Sequence, residues 1–449
     1  MKIVSHMFGP SPGALIGTVS ADEPQATLVG RDILQRGGNA ADAATAMGMA
    51  LSVTLPSRAS LGAGGACLAY RPGDQNGGRA FMFLPVAGTV AATGMPRADR
   101  PAAVPMMARG LYLMHLQYGS VAFSELLPGA ITLASNGINV SRQLAGDLAA
   151  VQVPLLADAG IRAIFSRSDG KALAEGDALV QTHLSGALDQ IRSMGVGDLH
   201  NGALAQSFVA GSQAAGGGLQ VADLRAAVPS EQKPLVVENG ETRVAFLPPP
   251  ADGGLGSAVT FRSAASSDAA TRAQAAIAAW RAQNGNATGA RRTACWRGRR
   301  PSSMPVAGRG RPARAPGLHI LYGGGPCRHG RGVQPEHGQP VRHGAHGGQY
   351  RHCAGGLPAR LPQPLYTAAI ASQGRAFRAV AAGSGQNDAA AAVGVTMRNI
   401  LAGQAPDAHP VTAQGRVNAI SCPRGLPGDG ATCVAATDPR GAGLAMGPR

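Results

Sequence analysis

Aromatic side chains are scarce in this chain: Phe, Trp and Tyr together make up 4% of its 449 residues. A core so poor in large rings must be closed by Ala, Val and Leu and by near approach of backbones, which the 64 Gly and 32 Pro also suggest. No run of 18 apolar residues occurs, and this excludes a membrane-spanning helix. Met1 to Val19 hold one Lys with scattered Gly and Pro and no compact apolar block. No secretory signal is read there, so the expected location is cytoplasmic; a truncated start from a periplasmic or secreted protein would read the same. Cysteines are few. Cys67, Cys422 and Cys433 show neither metal spacing nor a disulfide framework and read as reduced thiols. Acidic residues all but vanish between Ala290 and Arg360, where 13 Arg face one acid, Glu336, with no Lys. That stretch carries +12 of the net +15, leaving +3 for the other 378 residues. The basicity is therefore local and does not imply a polyanion partner for the whole molecule.

What is present reads as a large globular unit, one domain or two packed lobes. Ala26, Leu28, Val29, Ile33 and Leu34 give a first helix an apolar face. Gly37 and Gly38 stop it, and Asn39 caps a second helix from Ala40 to about Leu51. The Gly-rich turn Leu61 to Gly65 leads into strands at Ala66–Tyr70 and about Ala80–Leu84. Helices follow at Pro105–Tyr118, Leu126–Gly137, Val140–Ala150 and Asp177–Met194, then a strand at Thr242–Leu247 and an Ala-rich helix at Ala269–Ala282. From about Asn286 to Gly356 neither the 3.6 nor the 2.0 period is present. Order returns with a hairpin, Tyr366–Ala371 and Ala376–Ala382, a helix at Ala389–Leu401 and a last strand at Thr432–Thr437. This gives three regions: 1–285, an anomalous 286–356, and 357–449.

Three blocks carry a resemblance. The first runs Gly30-Arg31-Asp32 through Gly37-Gly38-Asn39-Ala40-Ala41-Asp42-Ala43-Ala44 and Leu55-Pro56 to Gly62-Ala63-Gly64-Gly65. The second holds Gly110-Leu111, Tyr118-Gly119, Leu126-Leu127-Pro128-Gly129-Ala130-Ile131 and Gly137; the third spans Gly383-Ser384-Gly385 to Thr437-Asp438-Pro439-Arg440. Alone, a Gly-rich turn is a tight turn and Asp-Pro-Arg means nothing; their order over some 400 residues is the signal. The chain resembles the γ-glutamyltransferase (glutathione hydrolase) family. The resemblance implies an α+β fold, the αββα four-layer sandwich of N-terminal-nucleophile hydrolases, in which the central strands are expected to be disrupted here. It implies no cofactor and no metal. It also implies a small-molecule γ-glutamyl or related acyl donor, and a large and small subunit pair if processed. In such enzymes a precursor cuts itself before a threonine. The freed hydroxyl then attacks the acyl carbon, with the threonine's own α-amine as base, and backbone N–H groups stabilise the oxyanion.

The same alignment exposes departures. No Thr occurs between Thr293 and Thr367, and the nucleophile's position falls at His319, whose imidazole supplies neither hydroxyl nor free α-amine. Leu84 stands where the family's carboxylate-binding arginine is expected, and no Arg lies between Arg79 and Arg97. The family's serine pair falls near Pro364 and Leu365. Its oxyanion glycines fall near Gly385, Gln386 and Asn387, so Gly383, Ser384 and Gly385 form the candidate oxyanion and substrate region. A shifted codon reading explains the gap. Bases two and three of each codon with base one of the next let Pro316–Leu321 encode PASTSF, Pro335–Gly344 encode LSMGNLFGT and Gln349–Gly356 encode NTGIVLA. The expectation is a frameshift opening near Asn286–Arg292 and closing near Gly356–Pro358.

Other readings of 286–356 compete. Cys327, His329, His343, His346, His352 and Cys353 have irregular spacing for zinc. A disordered nucleic-acid arm would have only Trp296, Tyr322 and Tyr350 for stacking. Neither metal nor nucleic acid is therefore expected. A non-enzymatic, degenerate homologue stays open as the alternative to an enzyme. The expectations for 286–356 are irregular backbone, no packed strands and a tendency to aggregate. Because self-cleavage needs the missing hydroxyl, the purified chain should run as one band on a denaturing gel; two fragments splitting near His319 would contradict the reading.

Overall fold

The computed structural model describes residues 17–88, 102–214, 217–263, 268–284, 319–324, 365–385, 387–407, 415–427 and 430–447. In chain order its strands are β1 (Val19–Ala21), β2 (Gly65–Tyr70), β3 (Arg79–Phe83), β4 (Val86–Ala87), β5 (Ala103–Val104), β6 (Ile138–Asn139), β7 (Ala178–Leu179) and β8 (Ser230–Gln232). They continue with β9 (Leu235–Asn239), β10 (Thr242–Phe246), β11 (His319–Gly324), β12 (Thr367–Gln373), β13 (Ala376–Ser384), β14 (Arg416–Leu426), β15 (Val434–Ala436) and β16 (Leu444–Met446). The helices that matter most for the motif are α1 (Pro24–Gln35), α2 (Ala40–Thr54), α3 (Pro56–Ala59) and α4 (Met107–Tyr118).

Two antiparallel sheets carry the fold, ordered β15-β14-β13-β12-β10-β9 and β11-β2-β3-β8. Period-two alternation assigns each strand's residues to two faces. Ala66, Leu68 and Tyr70 of β2 meet Ala368 and Ile370 of β12 and Val380 of β13 between the sheets. Cys67, Ala69, Phe81 and Phe83 turn the other way, into a core with α1, α2 and α4. On the far side, Ala369, Ala371, Ala379 and Ala381 pack against the helices Gly256–Phe261 and Asp388–Leu401. The result is helix, sheet, sheet, helix, the expected αββα sandwich. Its few aromatics are well placed: Phe81, Phe83, Phe208, Phe246 and Phe377 are all buried, each contributing roughly 2–3 kcal/mol. Ala389 to Ala392, also buried, let the helix Asp388–Leu401 lie close on its sheet.

The Gly37 to Asp42 stretch has a mechanical explanation. Asn39 caps α2, its Oδ1 accepting from the N–H groups of Ala41 at 2.8 Å and Asp42 at 3.1 Å, while Asp42 Oδ2 accepts from Asn39 N at 2.8 Å. Asp42 is fully buried and also accepts from Ser120 N at 3.0 Å and Ser120 Oγ at 2.6 Å, with His115 Nε2 at 3.2 Å. Asn39 Nδ2 donates to Tyr118 O at 2.8 Å. The motif thus rivets the start of α2 to the end of α4.

Three expectations need correction. Cys422 and Cys433 are not free thiols but form a disulfide. The chain leaves β14, reverses through Gly430–Thr432 and returns as β15 on β14, bringing the two Cα atoms to 4.1 Å; an eleven-residue separation hides that turn. Cys67 remains a buried thiol, pushed well above its usual pKa by burial. Second, β15 is not the last strand, since β16 follows and pairs with β1. Third, six residues of 286–356 do form a strand. β11 pairs with β2 from His319 opposite Tyr70 to Gly324 opposite Gly65, and it lies against α2 and β13. Ladder bonds need only backbone N–H and C=O groups, so an open edge of β2 can recruit a partner without apolar alternation. The rest of 286–356 lies outside the described residues.

Burial opposes ionisation of Asp42, but hydrogen bonds from His115, Ser120 and Asn39 outweigh it and lower its pKa. A lowered carboxylate adds stability above its unfolded pKa, and that stability is lost as pH falls through the folded value. Asp42→Ala should therefore cost roughly 2–4 kcal/mol at pH 7, read from urea midpoints, and less as the pH is taken toward 3.

Candidate functional site

One end of the sandwich gathers most of the candidate positions. Gly64, before β2, sits so close to the end of β3 that a Cβ there would fall 2.5 Å from Phe83 O and 2.6 Å from Pro85 N. Only glycine allows that approach. Tyr366, opening the hairpin, reaches across the inter-sheet gap and donates from Oη to Gly64 O at 3.3 Å. Next to it Thr367 pairs with Gly383, whose own Cβ would meet Thr367 Oγ1 and Val393 Cγ2 at 2.7 Å. β13 then closes at Ser384, and Gly385 leads toward the helix Asp388–Leu401, whose N-terminal amides face the same end. Leu84 follows β3 at this end and packs on the inter-sheet core as an apolar residue. Gln386 and Pro364 lie outside the described residues, and Leu365 is buried.

His319 is not brought to this end. It pairs with Tyr70, while Gly324 pairs with Gly65. Five strand residues, about 17 Å, therefore separate it from the Gly64 end where Leu84 and the Gly383 turn lie. No group of three or more His, Cys, Asp or Glu among the described residues could hold a metal.

Buried charge surrounds the end. Asp252, in the loop beside Tyr366, accepts from Gly256 N and Ser257 N at 3.0 Å each, and Ala251 O accepts from Tyr366 N at 3.0 Å. Burial pushes the Asp252 carboxyl up to about 6 despite those bonds. Glu23 is 3% exposed, with one oxygen lacking any partner. Burial raises it to about 7, a hydrogen bond with Ser141 working in the opposite direction. Asp22 Oδ1 accepts from Asn418 Nδ2 at 2.6 Å, and Arg58 holds Asp147 with two bonds of 2.7 and 3.0 Å. Sequence reasoning missed Asp252, Glu23 and Arg58, which belong to no motif recognised in the sequence.

The sequence profile described as Gamma-glutamyltranspeptidase matches residues 26–279, more than half the chain. The chain belongs to that family. It is 31% identical over 251 residues to the glutathione hydrolase proenzyme of Escherichia coli K12, covering 53% of this chain and 43% of that protein. It is 29% identical over 248 residues to glutathione hydrolase 3 of Arabidopsis thaliana, covering 54% and 39%. The chain thus spans less than half the length of these curated relatives. Among solved structures, Helicobacter pylori gamma-glutamyltranspeptidase matches with TM-score 0.52 and 25% identity over 62% of this chain and 84% of that one. A cephalosporin acylase from Bacillus halodurans matches with TM-score 0.66 and 17% identity over 99% of both chains, a likeness of fold.

A carboxyl whose folded pKa is raised stabilises the fold fully below its unfolded value and loses that contribution as pH climbs through the folded one. For Asp252 the window runs from about 4 to about 6, and for Glu23 from about 4.5 to about 7. Stability should therefore fall between pH 4 and 7 by roughly 2–3 kcal/mol per group. Glu23→Gln and Asp252→Asn should each flatten its own part of the curve in chemical denaturation; an unchanged slope in both variants would refute the assignment.

Proposed function

We propose that this chain is built on an acyl-transfer enzyme for γ-glutamyl or related amides, and that as its sequence stands it is catalytically silent. The observation that carries this is a mismatch. The end of the sandwich with Gly64, Tyr366 and the Gly383–Gly385 turn is assembled, yet no threonine exists between Thr293 and Thr367 to work there. Binding alone does not open a covalent acyl route, so a turn of backbone donors without a nucleophile does no transfer chemistry. The out-of-frame PASTSF reading at Pro316–Leu321 supplies the missing residue type in the right order. The register of β11, which holds position 319 at the far end of β2, is a further reason for silence.

In the restored frame the roles follow from chemistry. The threonine hydroxyl attacks the acyl carbon and its α-amine accepts the proton. Amides of the Gly383–Gly385 turn take the negative charge, the donor's C–N bond breaks as its amine leaves with the proton held by the α-amine, and water or an amine then releases the acyl group from the threonine ester. The curated relative in Escherichia coli is named a proenzyme, which supports processing of this kind. A second reading, a degenerate homologue without chemistry in either frame, is favoured by one observation: Leu84 is apolar where the acyl group's carboxylate needs a cation.

Expressing both versions side by side separates these. The chain as written should give no detectable γ-glutamyl-p-nitroanilide hydrolysis. The frame-restored chain should cleave itself first, because that step acts on its own backbone and needs no donor anchor. Robust turnover by the written chain would overturn the proposal, and a restored chain that stays whole would leave the degenerate homologue standing.

A further inference from the structure

Strand β14 opens at Arg416, and its ladder sets Arg416 directly opposite Ser384, the middle of the Gly383–Gly385 turn. Residues paired in this way project to the same face, with Cβ atoms about 5 Å apart. The face is known from their neighbours. Ile420 and Cys422 of β14, like Val380 and Ala382 of β13, enter the core between the sheets, whereas Val417 and Ala419 face the outer helices. Arg416 is therefore delivered to the mouth of the inter-sheet space beside the turn.

Its hydrogen bonding differs from that of the arginines around it. Arg58 is held by both oxygens of Asp147, and Arg440 by both oxygens of Asp438. Arg416 donates from Nη1 to Oε1 of Gln143, a neutral amide. Among the described residues it takes part in no ion pair. Asp22 and Asp438 act on it through space, but Asp22 Oδ1 is engaged by Asn418 and both oxygens of Asp438 by Arg440. Burial, with Arg58 and Arg440 nearby, lowers the Arg416 pKa, as expected of a half-buried cation lacking a bonded anion. A guanidinium in that setting gains most from a carboxylate, which it can bind with two parallel bonds.

We infer that Arg416 binds the free carboxylate of the acyl donor in this chain, in place of an arginine at Leu84. The inference rests on the acyl-transfer reading above. The donor class is a short acyl amide ending in a carboxylate, within a guanidinium's reach of Ser384; γ-glutamyl and glutaryl amides both qualify.

Two arms test it. In the first, glutarate and L-glutamate are titrated by calorimetry into the chain as written, Arg416→Gln and Arg416→Lys, each checked by a thermal melt. Binding should weaken at least tenfold in Arg416→Gln and recover in part in Arg416→Lys. Equal affinity in the parent and a folded Arg416→Gln, or no binding to the parent, overturns the inference. In the second arm the frame-restored chain is assayed with γ-glutamyl- and glutaryl-p-nitroanilide. Arg416→Gln should leave self-cleavage intact and raise KM at least tenfold for the preferred donor, with kcat within threefold. Intact self-cleavage with unchanged KM for both donors overturns the anchor alone. Failure of the parent to cleave itself counts against the acyl-transfer reading, and the first arm still decides the anchor.

Discussion

Everything at the candidate site depends on how the free edge of β2 is paired. One edge of β2 is satisfied by β3 through alternating residues that face opposite cores, Leu68 and Ala80 on one side and Cys67 and Phe81 on the other. The other edge lies inside the sandwich, between α2 and β13, where unpaired amides would be costly. β11 fills it through backbone pairing, with His319 opposite Tyr70 and Gly324 opposite Gly65. The ladder constrains the backbone alone and takes no account of which residue stands at position 319. A strand can thereby complete a sheet and still leave position 319 away from the turn it would have to serve.

Much of the fold was legible in the sequence because it rests on local signals. Asn39 announces the α2 cap, and the apolar pattern in Tyr366–Ala382 announces the hairpin, whose turn falls at Gly374. Other features were not legible because they are products of packing. The Cys422–Cys433 bond exists because β15 folds back on β14, and β16 exists because β1 offers it an edge. Neither partner carries a mark in its own segment. The same holds for the site. Gly383 to Gly385 could be named from the sequence, whereas Arg416 gains its meaning only from the ladder that sets it opposite Ser384.

Leu84 and Arg416 illustrate how one requirement can move between strands. A carboxylate near the Gly383 turn needs a cation, and it makes little electrostatic difference whether that cation arrives from the end of β3 or the start of β14. The geometry does differ. Leu84 belongs to the four-stranded sheet and packs on its neighbours, so an arginine there would displace apolar contact. Arg416 belongs to the six-stranded sheet and donates to the neutral amide of Gln143, while Asp22 and Asp438 act on it only through space. An anchor at that position therefore approaches the acyl group from the opposite sheet, favouring a donor of different length or bend.

The two kinds of likeness stop at different places. The family profile matches residues 26–279, while likeness of fold to the cephalosporin acylase runs through 99% of both chains. Gradual divergence would thin the sequence match along the chain as a whole. Here the Asp438-Pro439-Arg440 turn stays recognisable beyond the break, and Arg440 donates to both oxygens of Asp438. The hairpin, β14 and the helix Asp388–Leu401 also keep clean alternation and buried faces after residue 365. Well-patterned sequence on both sides of the interruption is what supports the shifted and later restored frame proposed above. Slow decay of an unused enzyme would instead have eroded buried positions such as Phe377 and Ala379 to Ala382 alongside the nucleophile.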